Sequence, residues 1–370
     1  MNGRQDRQSR QPPSEARPAG TTHRIFFAAA CLQAVLSIGV WIFARPGGVG
    51  ADWHAHELVF GYAAAVIAGF LFTKTERSTW LPVLLVWAAA RLAWLFVPDA
   101  AEWNAVLTVA STAAIGWVAG RSFLRGVKRS QNVIFPIVLA AIVTCDAAAQ
   151  LQVLGMAAVV SRPAVLLGVF TVVILIVIMG GRIAGAAFSG LVQRAGGARI
   201  APRLRLEQSM PVLIGAAALS LAADAPPLVL AGFSWLAAGA LLIRAWGWLP
   251  ALRLAGPDLL ALAAAQLFIA FGLAGIGAGA FHPPWSHVAP LHLVAIGGIG
   301  MSTTTMMLKS MAQRERLPLP SRTIAAVALL MGVAAIFRAG ADVLPEIALA
   351  VAALAWCAAM LCCLWRLLAR

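Results

Sequence analysis

Apolar runs of about 20 residues recur along almost the whole of this 370-residue chain, separated by short polar segments. As an α-helix, a run of that length spans the hydrocarbon core of a bilayer. Because 61% of the residues are hydrophobic and only 11% are charged, too few polar side chains remain to cover a water-soluble protein of this size. The pattern predicts an all-α, polytopic transmembrane helical bundle and excludes a water-soluble enzyme.

The runs predict about twelve spans in a single transmembrane helical domain, residues 25–370. Residues 1–24 carry five Arg and no apolar core, so we expect them to form a disordered basic cytoplasmic tail. The weakest spans are the seventh and eighth, which are short and separated by Asp224-Ala225-Pro226-Pro227. The predicted spans lie near residues 25–43, 57–73, 80–97, 103–120, 133–152, 164–181, 210–223, 227–243, 258–280, 289–307, 323–338 and 346–366.

The basic residues give the orientation. With the N-terminus inside, alternating spans place 24 of the 28 Lys and Arg residues on the cytoplasmic side, where loops collect positive charge. Arg45, Arg162 and Arg338 fall outside, and Arg91 lies within a span. Both termini are therefore predicted to be cytoplasmic. The net charge of +14 reflects this topology and attraction to the inner leaflet, not a nucleic-acid surface.

Five of the six histidines map to the outer side of this topology. Polar side chains at membrane depth are costly, and imidazole is the commonest protein ligand for haem, copper and zinc. These residues are therefore candidate ligands, although histidines at a water interface would follow the same pattern. The two that flank Pro283-Pro284-Trp285 resemble loop residues. The five are His54, His56, His282, His287 and His292.

The start of the second span can be analysed as a helix. His54 and Glu57 are three residues apart and share a face, whereas His54 and His56 point to roughly opposite sides. One imidazole would then hold a metal or haem iron while the other hydrogen-bonds a neighbouring span. The Glu57 carboxylate would orient an imidazole by accepting a hydrogen bond from the ring nitrogen that does not bind the metal.

Other polar groups lie within the spans. A buried ion pair between Arg91 and Asp146 is the economical explanation for both, since neither is stable alone in lipid; a proton or substrate path is the alternative. Gln150 and Gln266 are expected to donate hydrogen bonds across helices. The polar strip 302–305 is compatible with helix packing or with a cavity lining.

One long run resembles the signature of the NnrS family. That family's second span typically reads W-H-A-H-E-M-x-F-G, followed by A-V-I-A-G-F-L-x-T. Two weaker matches follow in the same order, Gly180-Gly181-Arg182 at the end of an apolar span and Leu291-His292 with Gly297 and Gly300-Met301. Arg91 and Arg338 also fall where the family often has Arg. The long run is Trp53-His54-Ala55-His56-Glu57-Leu58-Val59-Phe60-Gly61, continued by Ala64-Ala65-Val66-Ile67-Ala68-Gly69-Phe70-Leu71-Phe72-Thr73.

The resemblance implies a bacterial inner-membrane protein with twelve spans that responds to nitric oxide or nitrosative stress and binds haem, copper or both. It makes His54, His56 and His292 the best candidates for cofactor and metal ligands. Glu57 and Arg182 belong to the family motifs, but the resemblance assigns them no role. Nitric oxide or a redox protein would be the partner, besides the lipid bilayer.

The chain also departs from the family pattern. The family usually has a His near Gln150, another near Gln266, and G-H-T-G-R where this chain has Ala312-Gln313-Arg314-Glu315-Arg316. Gln is a poor ligand for haem or copper. The resemblance thus implies a divergent member with fewer ligands.

Two other functions stay open at this point. Twelve spans, the 302–305 strip and the Arg91 and Asp146 side chains are compatible with a secondary transporter or permease. A non-catalytic sensor or assembly partner is the third hypothesis. The sequence assigns no reaction, electron donor or oligomeric state.

Overall fold

The computed structural model describes residues 21–44, 50–73, 75–124, 134–156, 164–281, 287–341 and 345–369. Within these ranges all regular structure is helical, which confirms the predicted all-α fold. Most of the predicted tail, and His282, lie outside the described residues.

The described residues form fifteen α-helices, numbered here in chain order. The helix that begins the second span and the one that begins the tenth are both short. Their bounds are α1 Thr22–Gly39, α2 Ala51–His56, α3 Ala64–Leu71, α4 Arg77–Phe96, α5 Ala101–Leu124, α6 Ile134–Val153, α7 Val165–Arg194, α8 Leu204–Ala222, α9 Pro227–Trp246, α10 Leu249–Leu252, α11 Pro257–Gly279, α12 Val288–His292, α13 Met301–Arg314, α14 Ser321–Ala339 and α15 Pro345–Leu368.

Eleven helical stretches within the described residues are long and apolar enough to cross a membrane. The predicted seventh span, 210–223, lies in α8, which is not among them because its first turns carry Arg205 and Glu207. This helix has 19 residues and packs against both α7 and α9. The chain is a multi-pass membrane protein built as a helical bundle.

In the described ranges, three π-helical segments adjoin the α-helices: π1 Val40–Ala44, π2 Glu57–Ala63 and π3 Leu293–Gly300. Such segments are rare and are frequently found at functional sites. One begins directly after His56 and another directly after His292. Both histidine-bearing segments therefore share one plan, a short α-helix followed by a π-helical turn and a longer α-helix.

Distant parts of the chain meet in the bundle. The first helix packs against the last, and the Trp356 indole donates a hydrogen bond of 3.2 Å to the carbonyl of Ala34. The second and tenth spans are joined by a hydrogen bond between the Tyr62 and Thr303 hydroxyls. These contacts bring the two histidine-bearing segments into one core.

Helix α1 begins at Thr22, three residues before the predicted start of the first span at residue 25. The difference arises because Arg24 has a fixed partner, the Glu315 carboxylate just beyond α13. The His23 imidazole lies 3.2 Å from the same carboxylate. The hydrogen bond from Arg24 lowers the pKa of Glu315, so this link between the first and tenth spans is maintained at neutral pH.

The Gly180-Gly181-Arg182 motif was predicted to end a span, but the helix itself does not end there: α7 continues through it to Arg194. Gly181 is required for side-chain packing, because a Cβ there would lie 2.5 Å from Arg244 Nη1 and 2.7 Å from Glu207 Oε2. Those two side chains form a 3.1 Å ion pair against α7. The motif thus lets two neighbouring helices approach the middle of a long one.

Gly272 marks a close approach of α11 to the segment that carries His292. A Cβ at Gly272 would lie 2.4 Å from Val294 Cγ2 and 2.7 Å from the Pro290 carbonyl oxygen. Because a backbone oxygen cannot rotate away, we expect Gly272→Ala to lower the free energy of unfolding by about 1–3 kcal/mol. Chemical denaturation in mixed micelles measures this change.

The matched control is Gly239→Ala in α9, where a Cβ would have no neighbouring atom within 4 Å. That substitution is expected to stabilise the helix by up to about 1 kcal/mol. Equal effects of the two substitutions would show that α11 does not constrain the His292 segment.

Candidate functional site

The candidate site is a cavity of about 670 Å³, here called the histidine cavity. This volume lies within the range of small-molecule and cofactor sites. The lining is mainly apolar, with His54, His292 and Arg338 among its few polar side chains. It is built from α1, π1, α2, π2, α7, α12, π3, α14 and α15, so the core of the bundle shapes it.

His54 reaches this cavity from α2. Its imidazole stacks on Trp41, with ring centroids 5.9 Å apart and planes inclined by 16°. The Nδ1 atom is buried and has no hydrogen-bond partner within the described part of the chain. A buried imidazole nitrogen without a partner is destabilising unless a ligand satisfies it.

His292 reaches the cavity from the end of α12. Its Nδ1–H donates a 2.7 Å hydrogen bond to the carbonyl of Val288, one turn earlier. With the proton on Nδ1, the Nε2 lone pair is available. A backbone carbonyl behind the ring is also the usual support of a metal-ligating histidine.

His54, His292 and Arg338 all line this one cavity. Two of the three predicted ligands therefore share one site, although 238 residues separate them in sequence. The third, His56, does not line this cavity.

His56 lies instead in a buried polar cluster, here called the His56 network. Its Nε2 is 2.8 Å from Asp146 Oδ1 on α6, and its Nδ1 is 3.4 Å from Glu57 Oε1. The helix geometry predicted this division, one imidazole facing a cofactor space and the other a neighbouring helix. Glu57 contacts His56 rather than His54, however, and so does not support the cavity imidazole directly.

The predicted ion pair between Arg91 and Asp146 was wrong. Arg91 Nη1 donates to Glu57 Oε1 at 2.7 Å, and Nη2 donates to Thr108 Oγ1 at 3.3 Å. Asp146 accepts from His56 and from the Thr112 hydroxyl. Arg91 and Asp146 have separate partners in one network, and α5 packs between the helices that carry them.

Gly61 allows this network to close. A Cβ at Gly61 would lie 3.2 Å from Glu57 Oε2 and 3.3 Å from Arg91 Cδ, so a side chain there would crowd the ion pair. The Gly61 carbonyl accepts a 3.0 Å hydrogen bond from the Trp87 indole. On the other side, Gln33 Nε2 donates to Glu57 Oε2 at 2.6 Å. The sequence from Glu57 to Gly61 thus encodes a buried carboxylate and the space for its partner.

Both glutamines make the predicted contacts across helices, but the expected donation is wrong for Gln266, whose Oε1 is an acceptor. Gln266 accepts a hydrogen bond from Arg244, and the Gln150 amide lies 2.8 Å from His56 Nε2. The Gln150 Nε2 group faces the ring, and its Oε1 is buried without a hydrogen-bond partner among the described residues. Gln150 therefore belongs to the His56 network and not to the histidine cavity.

Arg182 contacts neither site. Its guanidinium lies 5.2 Å above the Phe135 ring on the face of α7 toward α6, and it does not line the histidine cavity. Among the described residues no group of three or more His, Cys, Asp or Glu side chains has the geometry to hold a metal ion. The part of the chain that the structure describes therefore offers two cavity imidazoles and not a three-ligand centre.

Sequence reasoning missed several residues of these sites. Trp41 and Tyr62 line the histidine cavity, and Gln33, Thr108 and Thr112 complete the His56 network. Tyr62 carried a usable signal, because it is the single tyrosine of the chain and follows the histidine motif. The threonines carried none, since a hydroxyl in a span usually bonds to its own helix.

No curated protein matches this chain in sequence. Residues 19–369 match the family described as "NnrS protein", and the match includes both histidine-bearing segments, the His56 network and the Gly180–Arg182 motif. Over nearly its whole length, the chain therefore belongs to the NnrS family.

Proposed function

We propose that this protein binds haem in the histidine cavity and acts in the bacterial inner membrane in the response to nitric oxide. The observation that carries this proposal is the meeting of His54 and His292 in one large, mainly apolar cavity. The resemblance of the Trp53–Thr73 segment to the family signature supplies the link to nitric oxide.

The residues present fit haem better than they fit a copper ion bound by protein groups alone. The porphyrin itself supplies four nitrogens to iron, so one or two imidazoles complete its coordination. Protein copper sites typically use three or more side chains, and the described residues offer no such group. The family resemblance also implies copper, so the broader proposal is that the protein binds copper in addition to haem.

Three polar groups of the cavity have distinct tasks in this proposal. His54 and His292 would hold the iron, the first braced by Trp41 and the second by its hydrogen bond to Val288. Arg338 would place a positive charge beside the haem carboxylates. The apolar lining would exclude water from the site. Haem, when bound, supplies an iron atom that binds nitric oxide.

The transporter alternative has less support. The Thr303 hydroxyl donates to the Ile299 carbonyl at 2.7 Å, and that of Thr304 donates to the Gly300 carbonyl at 2.8 Å, so much of the polar strip serves its own helix. Arg91 is neutralised by Glu57. Helix packing thus accounts for Arg91 and for two of the four hydroxyls in the 302–305 strip.

The direct test is the optical spectrum and metal content of the protein purified from cells supplied with iron, haem precursors and copper. We expect a haem Soret band, an iron content proportional to the haem content, and a shift of the Soret band when nitric oxide is added. A colourless, metal-free preparation would contradict the proposal. Haem without any response to nitric oxide would contradict its functional half.

A pair of variants makes this test specific to the cavity. Ala353 lines the cavity on α15 and is buried, whereas Ala350 on the same helix is exposed. Ala353→Phe should sharply reduce the haem content because the ring occupies the cavity, and Ala350→Phe should leave it unchanged. Equal haem content in both variants would place the haem elsewhere.

A further inference from the structure

A second cavity lies directly beside the first and has a different character. It is about 140 Å³ in volume, and its walls include Val66 and Ile67 of α3, Ile176 of α7, Leu262 of α11 and Met306 of α13. Nearly all of its lining is apolar. It is called here the apolar cavity.

The two cavities share part of their walls. Ala63 and Val172 line both, Tyr62 lines the histidine cavity, and Thr303 lines the apolar cavity. The Tyr62 and Thr303 hydroxyls are hydrogen-bonded to each other. A partition one side chain thick therefore separates the two spaces.

The chemistry of the apolar cavity decides what can occupy it. A buried water needs two to four polar partners. Ser302 Oγ is buried without a hydrogen-bond partner, but the Thr303 hydroxyl donates to the Ile299 carbonyl and Gln266 accepts from Arg244. Dry apolar cavities of about 150 Å³ in proteins take up xenon and benzene. Small uncharged molecules also transfer favourably from water into apolar surroundings.

We propose that the apolar cavity is a binding and transit site for small uncharged gases, which pass to the histidine cavity between Ala63 and Val172. The Tyr62–Thr303 pair forms the polar edge of this passage. The inference deepens the proposed function, because nitric oxide is such a gas and the histidine cavity is where it would react. Rotamer motions of the dividing side chains, on the picosecond to nanosecond scale or slower, open the passage.

Xenon tests the site without any cofactor. Crystals of the cofactor-free, full-length protein under xenon pressure should show anomalous density among Ile67, Ile176 and Leu262. Xenon-129 NMR in detergent should show saturable binding that Ile176→Phe abolishes. The matched control is Ile174→Phe, because Ile174 is also half-buried on α7 but lines neither cavity.

Two results would overturn the proposal: xenon confined to the histidine cavity, or equal xenon binding in the two isoleucine variants. If Ile176→Phe does not fold, the wild-type xenon crystal decides by position alone. Density for a lipid tail or for ordered water that xenon fails to displace would also overturn it.

Passage between the cavities is tested by exchange. Val172→Leu narrows the passage, because the longer side chain extends between the two cavities. Val169→Leu is the control, since Val169 lies on the same helix but lines only the histidine cavity. Xenon exchange between the two sites should slow several-fold in Val172→Leu and stay unchanged in Val169→Leu. Unchanged exchange in both variants would refute the passage.

The outcomes separate this inference from the proposed function. Xenon binding in a protein that never takes up haem would support the gas site and reject the haem proposal. Haem binding in a protein that takes up no xenon in the apolar cavity would support the haem proposal and reject the gas site.

Discussion

Replacing Arg91 with Met is expected to lower the free energy of unfolding by about 3–5 kcal/mol, because it removes the guanidinium that pairs with the buried Glu57 carboxylate. Both side chains are almost completely buried, and their ion pair measures 2.7 Å. Gln33 still donates to the other Glu57 oxygen, but a neutral amide does not balance the charge. Chemical denaturation in mixed micelles gives the magnitude.

Two further variants test this reason for the loss. Arg77→Met changes an exposed arginine at the start of the same helix and should alter stability by less than about 0.5 kcal/mol. Adding Glu57→Gln to Arg91→Met should restore part of the stability, because no charge is then left unpaired at that position. If the double variant is less stable than Arg91→Met alone, charge is not the cause.

Replacing either cavity histidine with Ala is expected to weaken haem binding by more than about 100-fold, since loss of even an outer partner of a metal ligand costs about 10–100-fold. His54→Ala removes the imidazole stacked on Trp41, and His292→Ala removes the one whose Nδ1–H is fixed by Val288. Haem titration followed at the Soret band measures the affinity. Added imidazole should restore the band by filling the space left in each variant.

His56→Ala is the control for this prediction. His56 lies outside the histidine cavity, so its loss should leave the haem spectrum intact while it destabilises the fold through Asp146 and Gln150. Loss of haem in His56→Ala at unchanged stability would reassign the ligands. Full haem affinity in both cavity variants would remove the histidines from the site.

The sequence could predict which side of a helix each residue faces, because helix geometry fixes that direction. His54 and His56 are two positions apart, and a helix turns such residues to different sides. The structure separates them in that way, one to the cavity and one to Asp146. Apolar length likewise predicted most helices of the bundle.

Pairing between helices was not predictable, because sequence does not state which helices are neighbours. Arg91 and Asp146 were the obvious opposite charges at similar depth. In the fold, Arg91 meets Glu57 of π2 and Asp146 meets His56. The role of Gly181 was not predictable for a related reason, since this glycine allows the close approach of Arg244 and Glu207 from neighbouring helices.

The π-helical segments were also invisible in the sequence. Leu293–Gly300 and Glu57–Ala63 have compositions that suit an uninterrupted α-helix in a membrane. A π-helical turn contains one extra residue, and this does not change the amino-acid composition of the segment in a recognisable way.

These segments have a consequence for how the family can vary. Each residue of an α-helix advances the chain by about 100° around its axis. Deleting one residue from Glu57–Ala63 or from Leu293–Gly300 would therefore swing everything before it by roughly that angle while leaving the inner half of the span in place. Single-residue length changes at these two points would turn an imidazole away from its companion without any substitution at either histidine.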